Sequence, residues 1–305
     1  MSSDNISWFH KHPIAVYLIL ANGITWLCWL PGIVIGSQQG YILPNFDTYT
    51  TLFQTGFANT QHLLISIVFQ LGVYGPLIAA LVATWLDGGR EGLIELGKRI
   101  IKWRVGVRWY FIILIIAFLL AAIPAGIGAL TGMTGFSTVS AISLPTLIIL
   151  FFAQILTSGV GEEPGWRGFL LPRLKVRFGG QKYIWLLGLI WAIWHYPFSI
   201  YLTLSMMQDV TPAQMIVTIL VRLAGLTISL IGMTFLYVWV YNYTKSVFLA
   251  ILLHALTNIV PLFVFSFLVD SQVLTLFSGF MPWVLVLALQ LTLGKKRFPD
   301  QIASI

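Results

Sequence analysis

Two adjacent glutamates, Glu162 and Glu163, stand at the end of a long apolar run in a chain of which only 9% of the residues are charged. An ionised side chain at membrane depth costs about 3 kcal/mol, so a glutamate there indicates a functional site unless it is paired. Arg167 follows Glu163 by four residues, in the acid-before-base order that favours an ion pair on a helix. The simplest arrangement pairs Glu163 with Arg167 and leaves Glu162 free, about 100° around a helix that Pro164 can bend.

Three more polar residues, His195, His254 and Asn258, fall inside apolar runs. His254 and Asn258 are four residues apart and therefore share one helix face. A carboxylate beside a histidine can deprotonate water, and a His–Asn pair can donate hydrogen bonds to an oxyanion. The glutamate, histidine and asparagine residues together predict a buried polar site able to hydrolyse an amide without a covalent intermediate. A metal site formed by Glu162, His195 and His254 is the alternative, and the residues alone leave it open.

Other protease signatures are absent. The metalloprotease pattern H-E-x-x-H fails because Tyr196 follows His195 and Ala255 follows His254. Intramembrane aspartyl proteases need two membrane aspartates, and all six Asp fall in predicted loops or tails (4, 47, 87, 209, 270 and 300). A rhomboid-type G-x-S-G is excluded because Leu156 stands at its first position.

The elements that must position these residues are membrane helices. A hydrophobic fraction of 58% exceeds the roughly 45–50% of soluble domains. Several apolar runs reach the roughly 20 residues that cross a hydrocarbon core. We predict an all-α polytopic membrane protein, with residues 1–305 forming one integral-membrane domain of about eight spans. The expected spans are approximately 13–36, 62–86, 109–130, 144–161, 183–204, 213–241, 247–269 and 273–293.

The distribution of positive charge predicts the orientation. With both termini in the cytoplasm, every Lys and Arg except Arg222 among the 17 falls on the cytoplasmic side. Topology therefore explains the net charge of +7 without a nucleic-acid partner. The polar site is expected to open towards the cytoplasmic side. Arg222 is interpreted as a snorkelling or packing residue reaching towards Asp209.

Two other segments carry secondary expectations. Residues 87–108 combine six basic residues with apolar residues at helical spacing, which predicts an amphipathic helix on the membrane surface. Cys28 is the only cysteine and lies in an apolar run, so there is no disulfide framework and no cysteine-rich metal site.

Three motifs in order carry a resemblance to a known family. Glu162-Glu163-Pro164-Gly165-Trp166-Arg167 resembles EExxxR, residues 191–195 resemble FxxxH with Trp191 for Phe, and residues 254–258 match HxxxN. Together they resemble the CPBP family, which includes type II CAAX prenyl endopeptidases, bacteriocin-processing proteins and abortive-infection proteins. The resemblance covers about residues 140–270.

The resemblance implies an intramembrane glutamic protease whose catalytic core is this region. Glu162 and His195 would activate water, His254 and Asn258 would stabilise the oxyanion, and Glu163 with Arg167 would hold the site together. No metal or other cofactor is expected, and Trp191 is interpreted as a packing change. The expected partners are membrane lipid and a membrane-associated peptide or protein substrate.

Two alternatives remain. A non-catalytic protein, such as a bacteriocin immunity factor or a membrane scaffold, could carry the same motifs. A proton-coupled transporter could also use buried Glu and His, but inverted repeats and paired broken helices are not evident in the sequence. Oligomeric state is left open. We expect a multi-pass location, in the cell membrane if the chain is bacterial.

Overall fold

A computed structural model describes residues 11–45, 48–137, 142–207, 210–269 and 279–294. Within these residues, seven helical stretches are long and apolar enough to cross a membrane. The prediction of an all-α polytopic membrane protein is confirmed. The helices are α1 (Pro13–Gln39), α2 (Tyr49–Thr55), α3 (Thr60–Leu71), α4 (Gly75–Ile100), α5 (Arg108–Leu130), α6 (Leu144–Gln154), α7 (Val160–Glu163), α8 (Leu171–Phe178), α9 (Lys182–Met206), α10 (Pro212–Thr244), α11 (Val247–Phe265) and α12 (Met281–Leu293).

The eighth predicted span is represented by α12, which has 13 residues and is shorter than a full crossing. The beginning of that span, the basic residues 295–297 and Asp209 lie outside the described residues. Two short strands, β1 (Gly135–Phe136) and β2 (Leu268–Val269), pair antiparallel beside the bundle. Sequence analysis did not predict these strands, because two residues carry no periodic signal.

The second predicted span is longer than expected. A 3-10 turn over Gly72–Tyr74 joins α3 to α4, and helical structure runs on to Ile100. Gly89 bends α4 with φ 55°, a left-handed backbone angle that glycine adopts without steric cost. The helix predicted within residues 87–108 is present as far as Ile100. Its Leu96 is 1% exposed and packs into the protein core. The predicted position of this helix on the membrane surface stays a prediction.

The site helix also passes its predicted end at residue 161. A π-helical turn at Ile155–Gly159 precedes α7, and a second one, Pro164–Leu170, joins α7 to α8. A π-helical turn holds an extra residue, and such turns occur often at functional sites. Proline lacks a backbone N–H group, so Pro164 leaves no unpaired donor at the start of the second π turn. The chain therefore stays helical on both sides of the two glutamates.

Two glycines let neighbouring backbone approach α7 closely. A Cβ atom added at Gly161 would lie 2.7 Å from the carbonyl oxygen of Val73. One added at Gly165 would lie 2.6 Å from the carbonyl oxygen of Pro76. The junction of α3 and α4 therefore packs directly against the backbone that carries Glu162 and Glu163. No larger residue fits without moving one of these elements.

Candidate active site

The two glutamates lie side by side on α7, and both are buried. Glu162 is 3% exposed and Glu163 is fully buried. Helical geometry rotates successive side chains by about 100°, so the two carboxylates point in different directions. They therefore meet different partners.

Glu163 joins a buried network. Its Oε1 atom accepts a hydrogen bond from Arg167 Nη1 at 3.0 Å and lies 2.8 Å from Nδ1 of His254. The predicted Glu163–Arg167 pair is confirmed. The additional contact with His254 was not predicted, and it connects α7 to α11. A carboxylate on Nδ1 fixes the orientation of the histidine ring and directs Nε2 away from Glu163.

Arg167 is fully buried between two aromatic rings. Its guanidinium carbon lies 4.2 Å from the ring centre of Trp191 and 4.2 Å from that of Tyr237. Its Nε and Nη2 atoms have no hydrogen-bond partner among the residues that the structure describes. The electron-rich ring faces offset part of the cost of burying the cation, and Glu163 neutralises its charge. We call Glu163, Arg167 and Trp166 the buried support.

Glu162 is not free, which corrects the prediction. Its Oε2 atom accepts hydrogen bonds from Nε1 of Trp191 at 2.8 Å and from Nε1 of Trp166 at 3.3 Å. Its Oε1 atom lies 3.9 Å from Nε2 of His254. The interpretation of Trp191 as a packing change is also wrong, because its indole N–H binds the carboxylate and phenylalanine has no donor.

His195 stands beside this pair with a defined tautomer. Its Nδ1 atom lies 2.8 Å from the carbonyl oxygen of Trp191. A carbonyl can only accept, so Nδ1 carries the proton and the neutral ring has an unprotonated Nε2. The predicted water-activating pair was Glu162 with His195. Nε2 of His254 lies within ion-pair distance of Glu162, and the water-activating role of Glu162 with His195 stays a prediction.

Asn258 follows His254 by one turn of α11 and lies on the same cavity, as the four-residue spacing predicted. Its Nδ2 atom donates to Oε1 of Gln154 at 2.8 Å. Gln154 is 2% exposed at the end of α6 and belongs to the same polar cluster. The second N–H of the Asn258 amide remains available to another acceptor.

A cavity of about 420 Å³ brings the predicted residues together. Its lining includes Glu162, His195, His254 and Asn258, which we call the cavity wall. Apolar and aromatic residues form most of the rest, as is usual for pockets that bind organic ligands. Among them are Trp29, Phe69, Leu120, Phe198, Leu230, Met233 and Phe265.

The cavity runs away from the basic segments. Its far lining includes Pro44, Asn45 and Phe265, which lie where α1 and α11 end. No residue of the basic segments 98–108, 167–182 or 244–246 lines it. All residues of the second π turn, which directly follows the two glutamates, are buried. The cavity therefore extends towards the ends of α1 and α11, and the predicted opening towards the cytoplasmic side stays a prediction.

Sequence reasoning gave no role in the cluster to Trp166, Gln154 and Tyr237, and it gave Trp191 only a packing role. A polar side chain eight residues before Glu162 in the same apolar run is a signal that could have identified Gln154. Tyr237 has no comparable signal. Arg222 lies on the exposed surface of α10, away from the site, and its predicted partner Asp209 is outside the described residues.

Metal ligation is the remaining geometric question. In the described ranges, no group of three or more His, Cys, Asp and Glu side chains is close enough together to hold a metal ion. Glu162 Oε1 lies 3.9 Å from Nε2 of His254, whereas Nδ1 of His195 is hydrogen-bonded to the backbone carbonyl oxygen of Trp191.

The helical bundle and its buried carboxylate–histidine cluster define a multi-pass membrane protein with a polar site among its helices. Residues 144–260 match the family described as type II CAAX prenyl endopeptidase Rce1-like. The match supports the family predicted from the three motifs, and its description is that of a protease family. The matched residues include every member of the cavity wall and the buried support. No curated protein matches the chain.

Proposed function

We propose that the protein is an intramembrane glutamic endopeptidase in which Glu162 activates the attacking water. The observation that carries the proposal is the pairing of Glu162 Oε1 with His254 Nε2 across 3.9 Å at the cavity wall. That separation exceeds a direct hydrogen bond and suits two groups that share a bound water. General bases placed in this way contribute about 10²–10⁴-fold to a rate.

The roles follow from the hydrogen bonds each group already makes. Glu162 Oε1 takes a proton from the bound water as the water oxygen attacks the carbonyl carbon of the scissile peptide bond. The same proton then passes to the leaving nitrogen as the C–N bond breaks. Unprotonated Nε2 of His195 can accept the second proton of the water, and it completes the water-activating set.

The oxyanion needs donors at the same place. Protonated His254 can donate from Nε2, because the Glu163 carboxylate on Nδ1 stabilises the imidazolium. The free N–H of Asn258 is the second donor. Glu163 and Arg167 are support residues that hold His254 and Trp191 in place.

The substrate is a membrane-associated peptide or protein, of the CAAX type or related to bacteriocins. The largely apolar cavity favours a lipid-bearing or hydrophobic segment over a soluble polar peptide. The basic segments are proposed to face the cytoplasm by the positive-inside rule. With that orientation the cavity extends towards the opposite side, so a segment presented from the membrane or the non-cytoplasmic side is the favoured substrate.

Glu162→Gln in the full chain tests the function. The amide keeps the size of the side chain and loses its basicity, so cleavage should fall about 10²–10⁴-fold. Membrane peptides from cells expressing the wild type or the variant are compared by mass spectrometry, and peptides cleaved only by the wild type are then assayed with purified protein. Glu91→Gln, at an exposed position on α4 outside the cavity lining, is the matched control variant and should leave cleavage unchanged.

Full cleavage by Glu162→Gln would refute a catalytic role. A biological phenotype that survives this substitution but is lost when the basic loops are altered would favour the immunity or scaffold alternative. Chelation separates the remaining mechanisms. Loss of cleavage with the fold intact would make Glu162 a metal ligand instead of a base.

A further inference from the structure

Trp191 makes a hydrogen bond that its place in the FxxxH-like motif does not require. Its indole N–H donates to Glu162 Oε2 at 2.8 Å, within the range of a strong charge-assisted bond. Trp166 donates to the same oxygen at the longer distance of 3.3 Å. One carboxylate oxygen is therefore occupied by two buried donors.

The hydrogen bonds that hold Oε2 of Glu162 also determine the position of its second carboxylate oxygen, Oε1. A carboxylate is planar, so fixing one oxygen together with the side-chain torsions also fixes the position of the second. Glu162 Oε1 is the oxygen that faces His254 Nε2, at 3.9 Å. The two indoles thereby distinguish a held oxygen from an oxygen directed at the reaction site.

Trp191 is itself held rigidly. The Arg167 guanidinium lies over its ring at 4.2 Å, and the residue is 3% exposed. Its carbonyl oxygen accepts a hydrogen bond from Nδ1 of His195. One residue therefore contacts Glu162 through its side chain and sets the tautomer of His195 through its backbone.

We propose that Trp191 is a positioning residue that holds the Glu162 carboxylate in its reactive orientation. The inference rests on the proposed function for its catalytic consequence. Phenylalanine could fill the same space and keep an aromatic face on Arg167. It would leave Oε2 with only the weaker donor, so the carboxylate could rotate.

A spectroscopic experiment tests the contact independently of activity. The purified full chain is labelled with ¹⁵N at the indole nitrogens, and the Trp191 resonance is assigned as the one that disappears in Trp191→Phe. In Glu162→Gln this resonance should move, because a neutral amide replaces the charged acceptor. The Trp283 indole, which donates to the carbonyl of Ile228 at 2.7 Å outside the cavity, should not move.

Kinetics then tests the positioning role with a peptide that the wild type cleaves. Trp191→Phe should lower kcat roughly tenfold and leave KM within about twofold, since the lost bond orients a base and does not bind substrate. Replacing Trp191 by 3-benzothienylalanine, which keeps the ring shape and removes the N–H, should give the same loss. Trp166→Phe should lose less, and Trp283→Phe should match the wild type.

The outcomes separate the two proposals. A Trp191 resonance that does not respond to Glu162→Gln, or an unchanged kcat in both Trp191 variants, would overturn the positioning role and leave the proposed function standing. If Glu162→Gln cleaves normally while the resonance still moves, the contact exists but the proposed function fails. A rise in KM without a fall in kcat would instead assign Trp191 to substrate binding and refute the positioning role.

Discussion

Glu162 and Glu163 are sequence neighbours that belong to two different regions of the molecule. Glu162 lies on the cavity wall, with one oxygen held by two indoles and the other directed at His254 Nε2. Glu163 belongs to the buried support and is fully enclosed between Arg167 and His254. One carboxylate is thus exposed to a cavity, and the other is not.

The difference shows that two identical side chains can have separate roles, one in the stability of the fold and the other in the chemistry of the cavity. A buried charge that loses its partner is strongly destabilising, so the support is expected to control folding. A carboxylate facing a cavity can change partners during a reaction, so the wall is expected to control turnover. His254 touches both regions and transmits the position of the support to the wall.

The largest expected effect on stability is at Arg167. Arg167→Leu leaves the Glu163 charge with His254 as its remaining partner, and breaking such a buried pair costs about 3–5 kcal/mol. The unfolding midpoint in detergent should fall strongly, while Glu162→Gln should change it much less. If Arg167→Leu and Glu162→Gln unfolded at the same temperature, the expected difference in stability between the two regions would be wrong.

A second ion pair provides the control for Arg167. Arg173 Nη2 lies 2.5 Å from Asp87 Oδ2, but the two side chains are 26% and 31% exposed. Solvent screening limits such a pair to about 1 kcal/mol or less, so Asp87→Asn should shift the midpoint only slightly. The Glu163→Gln, Arg167→Leu double variant should lose less stability than the sum of the single variants, since the two residues are coupled.

The direction of the cavity is tested by cysteine labelling. In a Cys28→Ala background, single cysteines are introduced at Ser158 on the cavity lining, at Gln39 where α1 ends, and at Lys98 in the basic segment. A membrane-impermeant maleimide is added to sealed vesicles of one orientation. Ser158→Cys should react from the same side as Gln39→Cys and not from the side of Lys98→Cys.

The reverse labelling pattern would contradict the cavity direction described above. It would show that the cavity wall is reached through the basic end, which is the direction of opening predicted from the sequence. Because Gln39 and Lys98 define the two sides internally, the result does not depend on which side is cytoplasmic.

The smallest expected effect is at Lys245, between α10 and α11 at the basic end. Its backbone is left-handed with φ 52°, and burial together with nearby Lys175 and Lys102 lowers its pKa. Lys245→Asn removes a cation that opposes folding and places a residue that tolerates this backbone angle. It should stabilise the protein by about 1 kcal/mol or less.

The pH dependence of this variant has a defined sign. The folded protein binds the Lys245 proton less tightly than the unfolded chain does, so wild-type stability rises with pH towards the ordinary lysine value of 10.5. The variant lacks this group, so its advantage in unfolding midpoint should shrink as the pH rises towards 10.5. An advantage that grows with pH would contradict the assignment. Lys98→Gln, at an exposed position, is the control and should show no measurable shift.

Local spacing was sufficient for part of the site. The i,i+4 relation predicted the Glu163–Arg167 pair, and the same spacing placed His254 and Asn258 on one cavity. It could not predict that His254 also binds Glu163, because 91 residues separate them and the contact depends on how α11 packs against α7. Trp191 was misinterpreted for a related reason, since a motif position does not reveal which atom an indole N–H meets.

The amino-acid sequence by itself determined the membrane helices, the family and the set of chemical groups. Apolar length, isolated polar residues and three ordered motifs are local properties that survive without coordinates. Only the tertiary structure decided which oxygen of Glu162 is held and which histidine faces it. It also decided where the cavity leads. Those features depend on the π turns around α7 and on the close approach at Gly161 and Gly165, which set side-chain directions by packing between distant segments.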